Sequence, residues 1–318
     1  MQSHTLCSSP LPRNVGPQMK QFIKVHGVAI LASVAISQAM TFSGLKYYAS
    51  SDSFNGAIGA AVNEAVAAKD KAQIDEYRAA RFAEFKEAPE TVPGNARVYG
   101  SLTARFTLAE FSDLECPYCK GLQGTLKEIV DRSNGAVNWQ FRHMPLSFHN
   151  PAATTEAHAA ECYADQFGNR GFWVLLDEIF LKSGGNGAGV ADLDETVRKL
   201  GADMPKYKEC MASNRYKQHI DDQAKLGGKL GATGTPATVL IDNVSDQKEF
   251  ISGNRPTKTY IDSMKQMLAA SQVKDAQKRA KANGEEVDPG KVVANQLLGS
   301  PAAAAGVVEA PAQEAQVE

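Results

Sequence analysis

Hydrophobic and polar positions divide the chain into stretches of different period. Residues 1–18 are polar and carry Pro10, Pro12 and Pro17, so no fold is expected there. Lys20 and Lys24 then precede an apolar run over residues 25–45, the layout of an export segment. Residues 25–36 alone have the length of a signal-peptide core, and Ser37-Gln-Ala39 follows as a small-x-small cleavage site. The whole run approaches the roughly 20 residues needed to span a bilayer. Residues 19–48 are therefore assigned as a signal anchor or signal peptide. The anchor is preferred, with Lys20 and Lys24 kept on the cytoplasmic side.

Helical periodicity follows. Phe54, Ile58, Val62 and Val66 step by four, and Ile74, Tyr77, Phe82 and Phe85 form a second stripe. Pro89 and Pro93-Gly94 end the pattern. Residues 49–94 are thus a helical arm and linker, formed by one helix or a pair. The arm is expected to pack on the domain that follows; an oligomerisation arm is the alternative.

Beyond residue 95 the period shortens and then lengthens again. Phe106, Leu108 and Phe111 predict a strand, residues 121–130 a helix, and residues 136–141 a second strand. Arg142-His-Met-Pro-Leu-Ser-Phe-His-Asn-Pro151 breaks that strand with two prolines. Residues 152–230 are helical, punctuated at Gly168-Asn-Arg-Gly171, at residues 183–189 and at Gly201. That is too much helix for a simple crossover, and it predicts a helical insertion. Strands return over residues 231–242 and 248–253, and a last helix over 256–268 sets Tyr260, Ile261, Met264 and Met267 on one side. The domain is placed at residues 95–271. Residues 272–318, charged and then rich in Ala, Pro and Glu, are expected to be disordered.

Composition narrows the function. Across 318 residues the net charge is −2 and no basic run occurs, which argues against nucleic-acid binding. The five cysteines are Cys7, Cys116, Cys119, Cys162 and Cys210. Four lie beyond the apolar run, an even number compatible with two disulfides and an oxidising compartment. Cys162 and Cys210 are expected to form a structural bond, which would stabilise by about 3–4 kcal/mol in the chain-entropy model. Two free buried thiols are the alternative. The glycines of residues 184–189 follow no strand and precede no Gly-Lys-Ser/Thr, so they are a flexible turn rather than a phosphate loop.

The chemistry concentrates at Cys116-Pro-Tyr-Cys119, where the first predicted strand turns into the first helix. Proline is favoured at the first helical position because its missing N–H needs no partner there. Cys116 then occupies the N-cap, facing free N–H groups and the positive end of the helix dipole. Both stabilise a thiolate and should bring its pKa to roughly 3.5–7. Cys119, one turn on, would be the sheltered thiol that resolves a mixed disulfide. A zinc site would need a second ligand pair at short spacing, and neither Cys162 nor Cys210 supplies one. No cofactor is called for. Asp113 and Glu115 are expected to face solvent and to oppose thiolate formation, and Lys120 to favour it.

Strand, Cys-x-x-Cys helix, strand, helical block, two strands and helix make a thioredoxin fold with an α-helical insertion. The chain resembles the DsbA-like family of exported thiol–disulfide oxidoreductases at four ordered places. They are Glu110-Phe-Ser-Asp-Leu-Glu-Cys-Pro-Tyr-Cys-Lys120, Arg142-His-Met-Pro-Leu146 with His149-Asn-Pro-Ala152, Gly171-Phe-Trp-Val-Leu-Leu-Asp-Glu-Ile-Phe180, and Gly234-Thr-Pro-Ala-Thr238. The resemblance implies that Glu110 is the buried acid beneath the thiols, able to relay the Cys119 proton. It also implies that Pro236 is a cis-proline exposing the Thr235 backbone to an extended substrate. Pro117 and Tyr118 would border the same substrate site. Thr235 resembles the isomerase and reductase branches more than the oxidases. The implied partners are cysteine-containing envelope proteins and a membrane redox partner, with the chain on the periplasmic side, tethered to the inner membrane through residues 25–45. A non-catalytic peptide-binding or assembly module is the alternative function.

Overall fold

The computed structural model describes residues 52–94 and 96–283. The expected export segment, the N-terminal polar stretch and the tail beyond residue 283 lie outside the described residues. Among the described residues no helix is long and apolar enough to cross a membrane. The chain divides into two units at Asp70 and Lys71. The described part of the first unit is the N-terminal portion of one continuous helix, α1 (Asp52–Glu84). Its stripe residues Ile58, Val62 and Val66 are 49–53% exposed.

The second unit holds a five-stranded sheet in the order β1-β3-β2-β4-β5. Its strands are β1 (Arg97–Gly100), β2 (Phe106–Ser112), β3 (Val137–His143), β4 (Ala237–Asp242) and β5 (Gln247–Ser252). β2 and β3 run parallel, joined by α2 (Pro117–Arg132); every other pairing is antiparallel. All of β2 is buried, as befits a central strand covered on both faces. The helix α2 buries Cys119, Leu122, Leu126, Ile129 and Val130, spacings of three and four that make one apolar stripe. The two cysteines are thereby fixed at the C-terminal edge of the central strand.

The helical insertion comprises α3 (Ala152–Lys182), α4 (Leu193–Lys199), α5 (Met204–Ser213) and α6 (Lys217–Lys229). Trp173 and Phe172 of α3 are fully buried, and the Trp173 ring lies 4.4 Å from that of Trp139 on β3. The second stripe packs here too: Phe82 of α1 meets Phe167, Tyr77 of α1 donates to Glu178 at 2.5 Å, and Phe85, in the turn just after the helix, meets Tyr99. On the opposite face α6 approaches β2 at Gly227, where a Cβ would come within 2.8 Å of the Phe111 ring. Cys162 of α3 and Cys210 of α5 form a disulfide.

The sheet edge at β1 is finished by a side chain. Gly168 takes φ +67° inside α3 and breaks it, a conformation open to glycine. The next residue, Asn169, accepts from the Val98 N–H at 2.9 Å and donates to the Val98 carbonyl at 2.7 Å and to Pro89 at 2.8 Å. A primary amide thus replaces the neighbouring strand that β1 lacks on this side. The last helix, α7 (Thr257–Asn283), runs past residue 272, where the sequence reading ends the ordered domain. Charged helix formers carry it on beyond the apolar stripe.

Candidate active site

Cys116 occupies the N-cap of α2 in an extended conformation (φ −84°, ψ 119°), with Pro117 opening the helix. The polar cap is left to its sulfur. The thiol donates to the Thr235 carbonyl at 3.4 Å, and the Thr235–Pro236 peptide bond is cis. Cys116 and Cys119 are both free and buried, whereas Pro117 and Tyr118 between them are exposed, Tyr118 by 70%.

The acidities of the two thiols are driven apart. A hydrogen bond from the Cys119 thiol is the main cause that lowers Cys116 to about 6. Burial opposes it, while Thr235 and the N–H groups of Cys119 and Tyr118 add to it. The Thr235 hydroxyl is buried with no hydrogen-bond partner among the described residues, so it is available to the sulfur. Burial pushes Cys119 well above its ordinary value, and the Cys116 sulfur and the Glu110 charge push the same way. One sulfur therefore ionises near neutral pH while its neighbour keeps its proton, the arrangement that thiol–disulfide exchange needs.

Glu110 lies beneath the pair, fully buried on β2. Its Oε2 accepts from the Trp139 indole at 2.9 Å, and its Oε1 has no hydrogen-bond partner among the described residues. Burial raises its pKa to about 7 against the lowering effect of nearby donors, Trp139 included. A carboxyl that titrates near neutrality can take up or release one proton there.

Asp113 and Glu115 do not face solvent, contrary to the sequence expectation; both are buried. Asp113 Oδ1 accepts from the Glu115 N–H at 2.8 Å. Its Oδ2 accepts from the Leu146 N–H at 2.7 Å and lies 2.8 Å from His149 Nδ1. The Arg142–Pro151 loop is thereby tied to the cysteine turn. Glu115 accepts from the Ser183 hydroxyl and, at 2.8 Å, from the Gly189 N–H; its carbonyl accepts from Asn186 N–H at 2.7 Å. Residues 183–189 are thus a strap fastened to the residue before Cys116, not the flexible turn expected from their glycines. Burial works against the Glu115 charge, but these donors prevail and hold its pKa below the usual carboxylate range. The neighbouring Glu156, which accepts from Val190 N–H at 2.9 Å, is raised to about 8 by burial and by the Glu115 charge. One of the two carboxyls stays neutral at pH 7. Glu156 and His149 carry no periodicity signal in the sequence. The run of acids before the cysteines was visible, but Asp113 is enclosed by the loop at Leu146 and His149, and Glu115 by a strap some 70 residues away.

A central parallel pair, a cysteine pair at a helix N-terminus and a cis-proline opposite it define the protein as a thiol–disulfide oxidoreductase of thioredoxin fold. The DSBA-like thioredoxin domain family matches residues 107–265, half of the chain, and the chain belongs to that family. DsbA2 of Pseudomonas aeruginosa is a similar solved structure, 32% identical with a TM-score of 0.50. The match covers 56% of this chain and 96% of that one. A thioredoxin-like oxidoreductase from Silicibacter pomeroyi DSS-3 is 24% identical with a TM-score of 0.47, over 55% of this chain and 93% of the other. Among curated proteins, a Na(+)/H(+) antiporter, NhaA 1 of Salinispora arenicola, is 30% identical over 145 residues, 45% of this chain. This chain spans about a fifth of that antiporter's length.

Proposed function

We propose that the protein exchanges disulfides with cysteine-containing proteins of the bacterial cell envelope, with Cys116 as nucleophile and Cys119 as resolving thiol. The split in acidity between the two sulfurs carries this reading. In the reductive direction the Cys116 thiolate attacks one sulfur of a substrate disulfide; a Cys116–substrate bond forms and the other substrate sulfur leaves as a thiolate. Cys119 gives its proton to the Glu110 carboxylate and attacks the Cys116 sulfur. The second substrate thiolate departs, and the Cys116–Cys119 disulfide holds the two oxidising equivalents. In the oxidative direction the same steps run backwards. Thr235 and Pro236 line the approach to Cys116 and would pair with an extended substrate, with Pro117 and Tyr118 on its border. Export and a tether through residues 25–45 would place the domain on the periplasmic side, and a membrane redox partner would reset the cysteine pair.

The direction of electron flow is set by the reduction potential of the pair. Equilibration with glutathione should give about −120 mV for an oxidase, or about −180 mV and below for an isomerase or reductase. Cys116→Ser should abolish insulin reduction. Undiminished turnover in that variant would overturn the enzymatic mechanism and favour a peptide-binding module.

A further inference from the structure

A cleft lies one strand away from the cysteines. It has a volume of about 300 Å³ and is walled by Gln140 and Arg142 of β3, His219 and Gln223 of α6, and the start of β1 at Ala96 and Arg97. β3 outruns β1 here: Arg97 pairs with Phe141, so Arg142 and His143 extend past the edge strand while α6 packs over them.

Arg142 is the anomaly. Among the described residues every other arginine that is not exposed pairs with a carboxylate: Arg78 with Asp75, Arg81 with Asp177, Arg97 with Glu161, Arg105 with Asp242, Arg170 with Glu90. Arg142 donates only to the amide oxygen of Gln140, at 3.2 Å. Burial, with no anion to offset it, lowers its pKa. A guanidinium withdrawn from water without a counter-charge is costly, and a bound anion relieves that cost.

We propose that this cleft binds a small organic monocarboxylate, gripped by the Arg142 guanidinium. The charges that face it choose the ligand. Arg97 is committed to Glu161 through two hydrogen bonds, and His143 also meets Glu161, at 3.0 Å. His219 sits 3.9 Å from Glu161, and burial keeps it below its ordinary pKa and so uncharged at neutral pH. Arg142 is therefore the one arginine of the cleft without a carboxylate among the described residues. A monocarboxylate matches it in charge and in the geometry of the guanidinium fork. A phosphate dianion would bring a second charge for which the described lining offers no second unpaired arginine. Ala96 and Phe141 add apolar wall, which suits an organic acid over a bare inorganic ion.

Calorimetric titration of the full chain with sodium benzoate and with sodium propionate tests this, against sodium chloride and sodium phosphate at matched ionic strength. Saturable one-to-one binding of a carboxylate is expected, weakened roughly tenfold or more in Arg142→Gln. A second variant, Gln140→Glu, places a carboxylate beside Arg142 within the protein; it should abolish binding and raise the melting temperature. The proposal is overturned if chloride or phosphate binds as well as the carboxylates, if no carboxylate saturates, or if Gln140→Glu binds like the parent.

Discussion

Glu110 is held in a place that favours its neutral form, and the cost follows pH. Its pKa is about 7 in the folded protein against 4.5 in the unfolded chain. The raised value means that folding is favoured while the group is protonated. That contribution is complete below about pH 4.5 and is lost as pH rises through about 7. In the reduced protein, Glu110→Gln should therefore gain stability relative to the parent as pH rises, by on the order of 3 kcal/mol between pH 4 and pH 9. Urea unfolding across that range measures it; a difference that does not change with pH would show Glu110 to be an ordinary acid. The burial of Glu110 was implied by the family resemblance. That of Asp113 and Glu115 could not be read, because the turn holding them has no period and their donors come from residues 146 and 183–189.

Elements defined by a period of their own were legible, and those defined by a neighbour were not. The strand before the cysteines, the α2 stripe and the break at Gly168 all follow from local spacing. β1 escaped the sequence reading because Arg-Val-Tyr-Gly is too short to alternate, and the bonds on its open side come from Asn169, 71 residues away from Val98. The two stripes read alike in the sequence, yet among the described residues only the second meets aromatic partners. Asn169→Ala removes three hydrogen bonds and strands the Val98 N–H, while the Val98 carbonyl keeps the Trp173 indole at 3.0 Å. A loss of about 2–4 kcal/mol is expected, seen as a lower urea midpoint. The Cys116 thiolate titration, followed by absorbance at 240 nm, should not move. A shift in that titration would mean that the β1 edge and the cysteine turn are coupled.

At the scale of the molecule, the Cys162–Cys210 bond closes a loop with a sequence separation of 48. In the chain-entropy model that is worth about 4 kcal/mol. Replacing both cysteines with alanine should lower the melting temperature while leaving insulin turnover close to that of the parent. Loss of turnover in the folded double variant would give the bond a part in catalysis. The bond also bears on a hazard peculiar to this chemistry. A protein whose cysteine pair is suited to disulfide exchange carries a disulfide of its own, and every copy meets the thiolates of its fellows. Attack requires a sulfur to reach a sulfur, and Cys162 and Cys210 are 0% and 2% exposed. Their bond is out of reach while the fold persists, so a concentrated population of these molecules does not consume its own scaffolding.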